Sequence, residues 1–247
     1  MHSIPKKRIE YSMKKVWYIW LFSVAFIFIS AFALCVDALQ TSQPVAAFDE
    51  VGMRIVLDAG HGGIDGGVTG RGTGVKESDV NLAITLKLKT KLEEMGFDVV
   101  LTRKTDAGLY DTTAKGFKRR DMEKRRSIIQ NAAPTLVLSI HQNYYSSATS
   151  RGAQIFYDAS SEKSYRLASV LQEKLNGMYA LEGVKERKEM TGEYFILRCA
   201  DCPSVILECG FLSNAKDEKL LTNESWQGRL AETIAAGVMQ YLSQSAS

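Results

Sequence analysis

From residue 53 onward, short runs of β-branched and aliphatic residues alternate with longer segments whose apolar residues recur every three or four positions. Residues 54–59 (RIVLDA) form a compact apolar run closed by glycines and predict a first, buried strand. A glycine-rich loop follows from Gly60 to Gly74. Val80, Ile84, Leu88, Leu92 and Met95 then recur at helical spacing; with Ser78 as N-cap and Gly96 as stop, they predict a helix over 79–95. Residues 97–102 predict a second strand, and 118–131 a charged helix stopped before Pro134. The stretch 135–141 (TLVLSIH) is continuous in apolar residues and predicts a central strand. A fourth strand is expected over 153–157, a helix near 162–179, and short strands near 194–198 and at 204–209. A last helix over 226–243 carries Leu230, Ile234, Val238 and Leu242 on one face. This alternation predicts an α/β fold: a mostly parallel central sheet of about six strands, helices on both faces, in a single domain over 53–247.

The pattern before residue 53 is different. Val16 to Val36 is a run without charge, preceded by Lys14-Lys15 and by Lys6-Lys7-Arg8. Roughly 20 apolar residues are needed to cross a bilayer core, and lysines on the N-terminal flank favour export of the C-terminal side. Residues 1–37 therefore read as an N-terminal membrane segment. The run exceeds the usual signal-peptide core, which favours an uncleaved anchor, while Ala31, Ala33 and Ala38 offer small residues for cleavage. Residues 38–52, with Pro44, read as a linker.

This division changes the meaning of the charge. The formal net charge is +3, and the first 37 residues hold five basic and two acidic side chains, which accounts for all of it. The remainder is formally neutral, so the basic balance is no argument for a nucleic-acid partner. An apolar fraction of 45% with 24% charged residues is ordinary for a globular domain with a full core.

Candidate chemistry gathers at predicted strand ends, where open α/β sheets place their sites. The domain has two histidines: His61 follows the first strand and His141 closes the third. Imidazole is the commonest zinc ligand, and catalytic zinc usually takes three protein ligands. Spacing offers several carboxylates as the third: Glu77 at the end of the glycine-rich loop, with Asp58, Asp65 and Asp79 as rivals. Glu208 lies inside the apolar run SVILECGF, where a charge is costly unless paired or functional. It reads either as a buried salt bridge or as a general base acting on water beside a metal.

The blocks RIVLDAGHGGIDGG, GTGVKE, DVVLTR, LVLSIHQN and SVILECGFLSN, in this order and spacing, resemble the zinc-dependent N-acetylmuramoyl-L-alanine amidases of bacterial cell walls. The likeness runs over about residues 54–243, essentially the whole exported domain; Ala59 departs from a frequent proline without touching a ligand. The resemblance implies a catalytic domain that binds one Zn²⁺ through His61, Glu77 and His141, with Glu208 as the catalytic acid/base. It implies hydrolysis of the amide joining N-acetylmuramic acid to L-alanine, with peptidoglycan as partner. An alternative is a zinc peptidase or deacetylase acting on another wall bond, or an inactive wall-binding domain.

Within the family, the membrane segment, the bare catalytic domain and the stretch Lys115–Ala132 look like the membrane-linked amidases that prepare spore cortex for germination. Such enzymes can act with an accessory protein. This likeness implies an exported enzyme at the outer face of a membrane, anchored or released, including the forespore intermembrane space. Residues 158–191 have room for one helix and a loop, so no inhibitory helix is expected, and no separate wall-binding module is expected beyond the last helix. Cys199 and Cys202 form a lone C-x-x-C and read as two free or bridged thiols without a catalytic role, and Cys209 as a small buried hydrophobe. The Gly60–Gly67 run is no phosphate loop, because the helix begins more than ten residues later behind an acidic residue. Nor is there a G-x-S-x-G nucleophile elbow.

Overall fold

The computed structural model describes residues 52–111 and 115–245. The membrane segment and nearly all of the linker expected from the sequence lie outside these residues. The elements run β1 (Arg54–Ala59), α1 (Glu77–Glu94), β2 (Asp98–Leu101), α2 (Phe117–Ala132), β3 (Leu136–Asn143), β4 (Gln154–Tyr157), α3 (Glu162–Ala180), β5 (Met190–Thr191), a 3₁₀ turn (Phe195–Arg198), β6 (Ser204–Phe211), α4 (Ala215–Leu221) and α5 (Glu224–Ser245).

The strands form one six-stranded sheet in the order β2-β1-β3-β6-β4-β5. All neighbours are parallel except β4, which runs antiparallel to β6. The fold is thus the mostly parallel α/β sheet that the alternation of elements predicts. The strands β1, β3 and β6 are interior, as their continuous apolar runs require.

Successive strand residues point to opposite faces, and the core divides accordingly. Ile55, Leu57, Leu138, Ile140 and Leu207 pack under α1, α3 and α5 in the larger cluster. Val56, Val137, Phe156 and Ile206 face the other way, towards α2 and the 3₁₀ turn. Each such fully buried side chain contributes roughly 1.5–3 kcal/mol. By the same alternation, Asp58, Ser139, His141 and Glu208 belong to the second, thinner face.

Two local expectations change, and one helix is added. Residues 195–198 form a 3₁₀ turn instead of a strand, and the strand in this region is Met190–Thr191, paired with β4. The reason lies in burial. Ile196 and Leu197 are both buried in one cluster, which consecutive strand residues on opposite faces could not achieve. The helix α4 arises from Asn214, whose side chain accepts from the backbone N–H of Lys216 and Asp217. Finally, α1 begins at Glu77 without a Ser78 cap. The N–H groups of Glu77 and Ser78 donate to the carbonyls of Val68 (2.8 Å) and Gly66 (3.1 Å), so the loop satisfies the donors that a cap would serve.

Candidate active site

Those two loop-to-helix bonds fold the glycine-rich segment back over the start of α1 and bring Glu77 beside the end of β1. His61 enters from the other side of the loop with a left-handed backbone, φ 61°. A non-glycine residue there costs on the order of 1–3 kcal/mol unless its surroundings over-determine it. Here they do. Arg103 and Arg125, both buried, grip three successive carbonyls: Ala59 (Arg103 Nε and Arg125 Nη1, both 2.8 Å), Gly60 (Arg103 Nη2, 3.0 Å) and His61 (Arg125 Nη2, 2.6 Å).

Arg125 is itself held by Asp58 (2.5 Å) and Asp121 (2.6 Å), and Asp58 accepts further bonds from Ser139 and Thr102. Burial opposes ionisation of Asp58, but the Arg125 charge and these hydroxyls prevail and lower its pKa to about 2. The Arg103 pKa is lowered as well, to about 10, by burial and by the Arg125 charge.

Three of the residues singled out from the sequence converge. His61 Nε2 lies 3.3 Å from Glu77 Oε2, and His141 Nδ1 lies 2.9 Å from Glu77 Oε1. The two imidazoles meet edge to face with centroids 5.1 Å apart. One donor atom from each of His61, Glu77 and His141 falls within 4.8 Å of the others. Two imidazole nitrogens and one carboxylate oxygen at this spacing fit a catalytic zinc centre with an open position. The rivals for the carboxylate are engaged elsewhere. Asp58 pairs with Arg125; Asp65 accepts from His61 Nδ1 at 3.0 Å and pairs with Lys118 at 3.1 Å; Asp79 is exposed.

Close packing fixes the ligand rings. A Cβ built on Gly60 would fall 2.2 Å from the His141 ring, and one on Gly67, at φ 67°, would fall 2.4 Å from Glu77 Oε2. Burial opposes ionisation of Glu77, yet both histidines outweigh it and hold the carboxyl far below its ordinary range. Burial likewise opposes protonation of His61, whose pKa is nevertheless raised to about 9 by Glu77 and Asp65.

Glu208 stands opposite His141 in the β3–β6 register. Its Oε2 is buried without a hydrogen-bond partner, and among the described residues it makes no ion pair, so the salt-bridge reading has no support. Burial raises its pKa to about 7; the histidines pull it down and Glu77 pushes it up. All four residues line one cleft of about 480 Å³, whose lining also includes Tyr110, Phe117, Lys118, Tyr144, Tyr194 and Phe195. Cys199, Cys202 and Cys209 are free thiols, and Cys209 is fully buried.

Pattern reading missed Asn81, Arg103, Arg125 and Gln142, which buttress this cleft. Only Asn81 left a signal: a polar residue one turn after Glu77 on the buried face of α1.

The profile of the Amidase_3 family, N-acetylmuramoyl-L-alanine amidase, matches residues 55–240. The germination-specific N-acetylmuramoyl-L-alanine amidase of Bacillus subtilis is 31% identical over 78% of this chain and 81% of its own length. Among solved structures, the CwlD amidase of Clostridioides difficile in complex with the GerS lipoprotein superposes with a TM-score of 0.73. It is 37% identical, covering 78% of this chain and 99% of that one. The catalytic domain of CwlV from Bacillus (Paenibacillus) polymyxa var. colistinus superposes at 0.67 with 32% identity, covering 78% and 99%. With its His-Glu-His donor cluster in place, the chain belongs to the N-acetylmuramoyl-L-alanine amidase family, zinc hydrolases of peptidoglycan.

Proposed function

We propose that the exported domain frees stem peptides from spore cortex peptidoglycan, with one Zn²⁺ held by His61, Glu77 and His141 and with Glu208 as the proton-transfer group. The observation that carries this reading is Glu208 Oε2: a buried carboxylate oxygen without a partner, set beside three converging metal donors. An orphaned acceptor of this kind is expensive unless a reactant completes it.

When bound, zinc supplies Lewis acidity towards the amide carbonyl and lowers the pKa of water. The chain's own residues do the rest. Glu208 takes the proton as water attacks the carbonyl carbon, and delivers it to the leaving nitrogen of L-alanine. The products are a lactyl carboxylate on the glycan and a peptide with a free alanine amine. Asp65 orients the His61 ring through Nδ1, the usual arrangement for an imidazole ligand.

The cortex assignment is supported by the germination-specific relative and by the GerS-bound CwlD. The second of these also supports an accessory protein as partner. The charge-free run Val16–Val36 supports a membrane segment over 1–37, a linker over 38–52 and a catalytic domain over 53–247 facing the far side of that membrane. Digestion of purified cortex and vegetative peptidoglycan by the zinc-loaded chain, alone and with extract of sporulating cells, tests the reading. Faster stem release from cortex supports it. Equal release from both, with and without extract, contradicts the cortex role.

A further inference from the structure

Asn81 lies one turn after Glu77 on α1 and is fully buried. Its amide nitrogen donates to Glu77 Oε1 at 3.2 Å and to the carbonyl of Gly60 at 3.1 Å. Its amide oxygen accepts from Gln142 Nε2 at 3.1 Å. Gly60 directly precedes His61, and Gln142 directly follows His141. One side chain therefore touches Glu77 and the chain neighbours of both histidines. Gln142 closes the circuit, since its backbone N–H donates to Glu77 Oε1 at 3.1 Å.

The hydrophobic core does not call for an amide here. The buried positions of α1 around it include the apolar Val80, Ile84 and Leu88 as well as Thr85, and a buried amide is tolerated only when its hydrogen bonds are made. An aspartate would fit the space but could not donate to Gly60 or Glu77, and it would set a second negative charge beside Glu77. Only a group with a donor end and an acceptor end satisfies all three contacts at once.

We propose that Asn81 is a positioning residue of the metal site, a strut that sets the spacing of the β1 loop, α1 and β3 and so of the three donors they carry. The proposal rests on the reading of His61, Glu77 and His141 as zinc ligands. It concerns ligand geometry, and Asn81 touches neither the ion nor the substrate.

The test compares wild type with Asn81→Leu, Asn81→Asp and Thr85→Val. Thr85 is equally buried and donates to the backbone carbonyl of Asn81 at 2.7 Å, yet it contacts no ligand, which makes it the control for general loosening of the helix. Three quantities are read: zinc affinity by competition with a chromogenic chelator, the visible spectrum of the cobalt(II)-substituted protein, and the thermal midpoint of the metal-free protein. Both Asn81 variants are expected to bind zinc about 10- to 100-fold more weakly and to alter the cobalt spectrum. Thr85→Val is expected to keep wild-type affinity and spectrum.

Wild-type zinc affinity and an unchanged cobalt spectrum in the Asn81 variants would overturn the proposal. So would an equal loss of affinity in Thr85→Val. Should Asn81→Leu fail to fold, Asn81→Asp decides, because it preserves the side chain's size and the acceptor for Gln142. None of these readouts requires hydrolysis. A wild-type chain that binds zinc and cleaves no amide would sink the functional reading alone, whereas unchanged affinity in the variants would sink the strut alone.

Discussion

Glu208 on β6 and His141 on β3 are direct partners across a parallel strand pair, so one backbone register sets the distance between a candidate metal ligand and the candidate proton carrier. The sheet interior fixes that register, since Leu138 and Leu207 are both fully buried on the opposite face. Loops need not close for the two groups to meet. Replacing Glu208 by glutamine keeps the shape and removes the proton-accepting oxygen. Turnover should fall by about 10²- to 10⁴-fold while zinc content, measured by elemental analysis after dialysis, stays at the wild-type level.

Gly60 gives a prediction of the opposite kind, in which metal is lost from a folded chain. A methyl group there would meet Cε1 and Nε2 of His141 at 2.2 Å, far inside contact distance. The ring must turn away from Glu77 to make room. Gly60→Ala should unfold cooperatively in urea yet bind zinc at least about tenfold more weakly in a chelator titration, the scale typical of a disturbed ligand orientation.

Arg125 is the largest test of the buried frame. It serves Asp58, Asp121 and the carbonyls of Ala59 and His61 with one planar guanidinium. Arg125→Met leaves two buried carboxylates unpaired and should cost about 3–5 kcal/mol in urea unfolding. Arg125→Lys restores the charge but not the fork, and should recover only part of that loss.

The same frame predicts acid sensitivity. The folded-state pKa of Asp58, about 2, lies below its unfolded value of about 3.9. Its contribution is therefore fully present above about pH 4 and is lost as the pH falls towards 2, an effect on the order of 2 kcal/mol. Stability measured by urea melts from pH 5 to pH 2 should drop steeply in wild type. In Asp58→Asn, less stable throughout, the slope in that window should be visibly shallower.

Much of this molecule is legible in its sequence, and the boundary is physical. The run RIVLDA is β1 to the residue, because a buried parallel strand is written in contiguous apolar side chains. His61, His141 and Glu208 could be picked out because rare polar residues at strand ends stand out against such runs. Glu77 could not be told from Asp58, Asp65 and Asp79 by spacing. The choice depends on the hydrogen bonds from Glu77 and Ser78 to Val68 and Gly66, and on Arg125 claiming Asp58. The 3₁₀ turn at Phe195–Arg198 escaped for a similar reason, since its apolar residues mimic a strand until their shared burial is seen. Asn81 shows in the sequence only as a polar residue on the apolar side of α1, and its role required three segments at once. What local pattern cannot carry is the pairing of distant polar groups.

The central claim is that His61, Glu77, His141 and Glu208 together hydrolyse the amide between N-acetylmuramic acid and L-alanine. Mass spectrometry of peptidoglycan digests, comparing the wild-type chain with Glu208→Gln at equal zinc loading, tests it most directly. The account predicts peptides with a free N-terminal alanine and stem-free glycan strands of unchanged length from wild type, and release of both slowed at least about 10²-fold in the variant. Cleavage at another bond, or equal release of alanine amines by the variant, would contradict it.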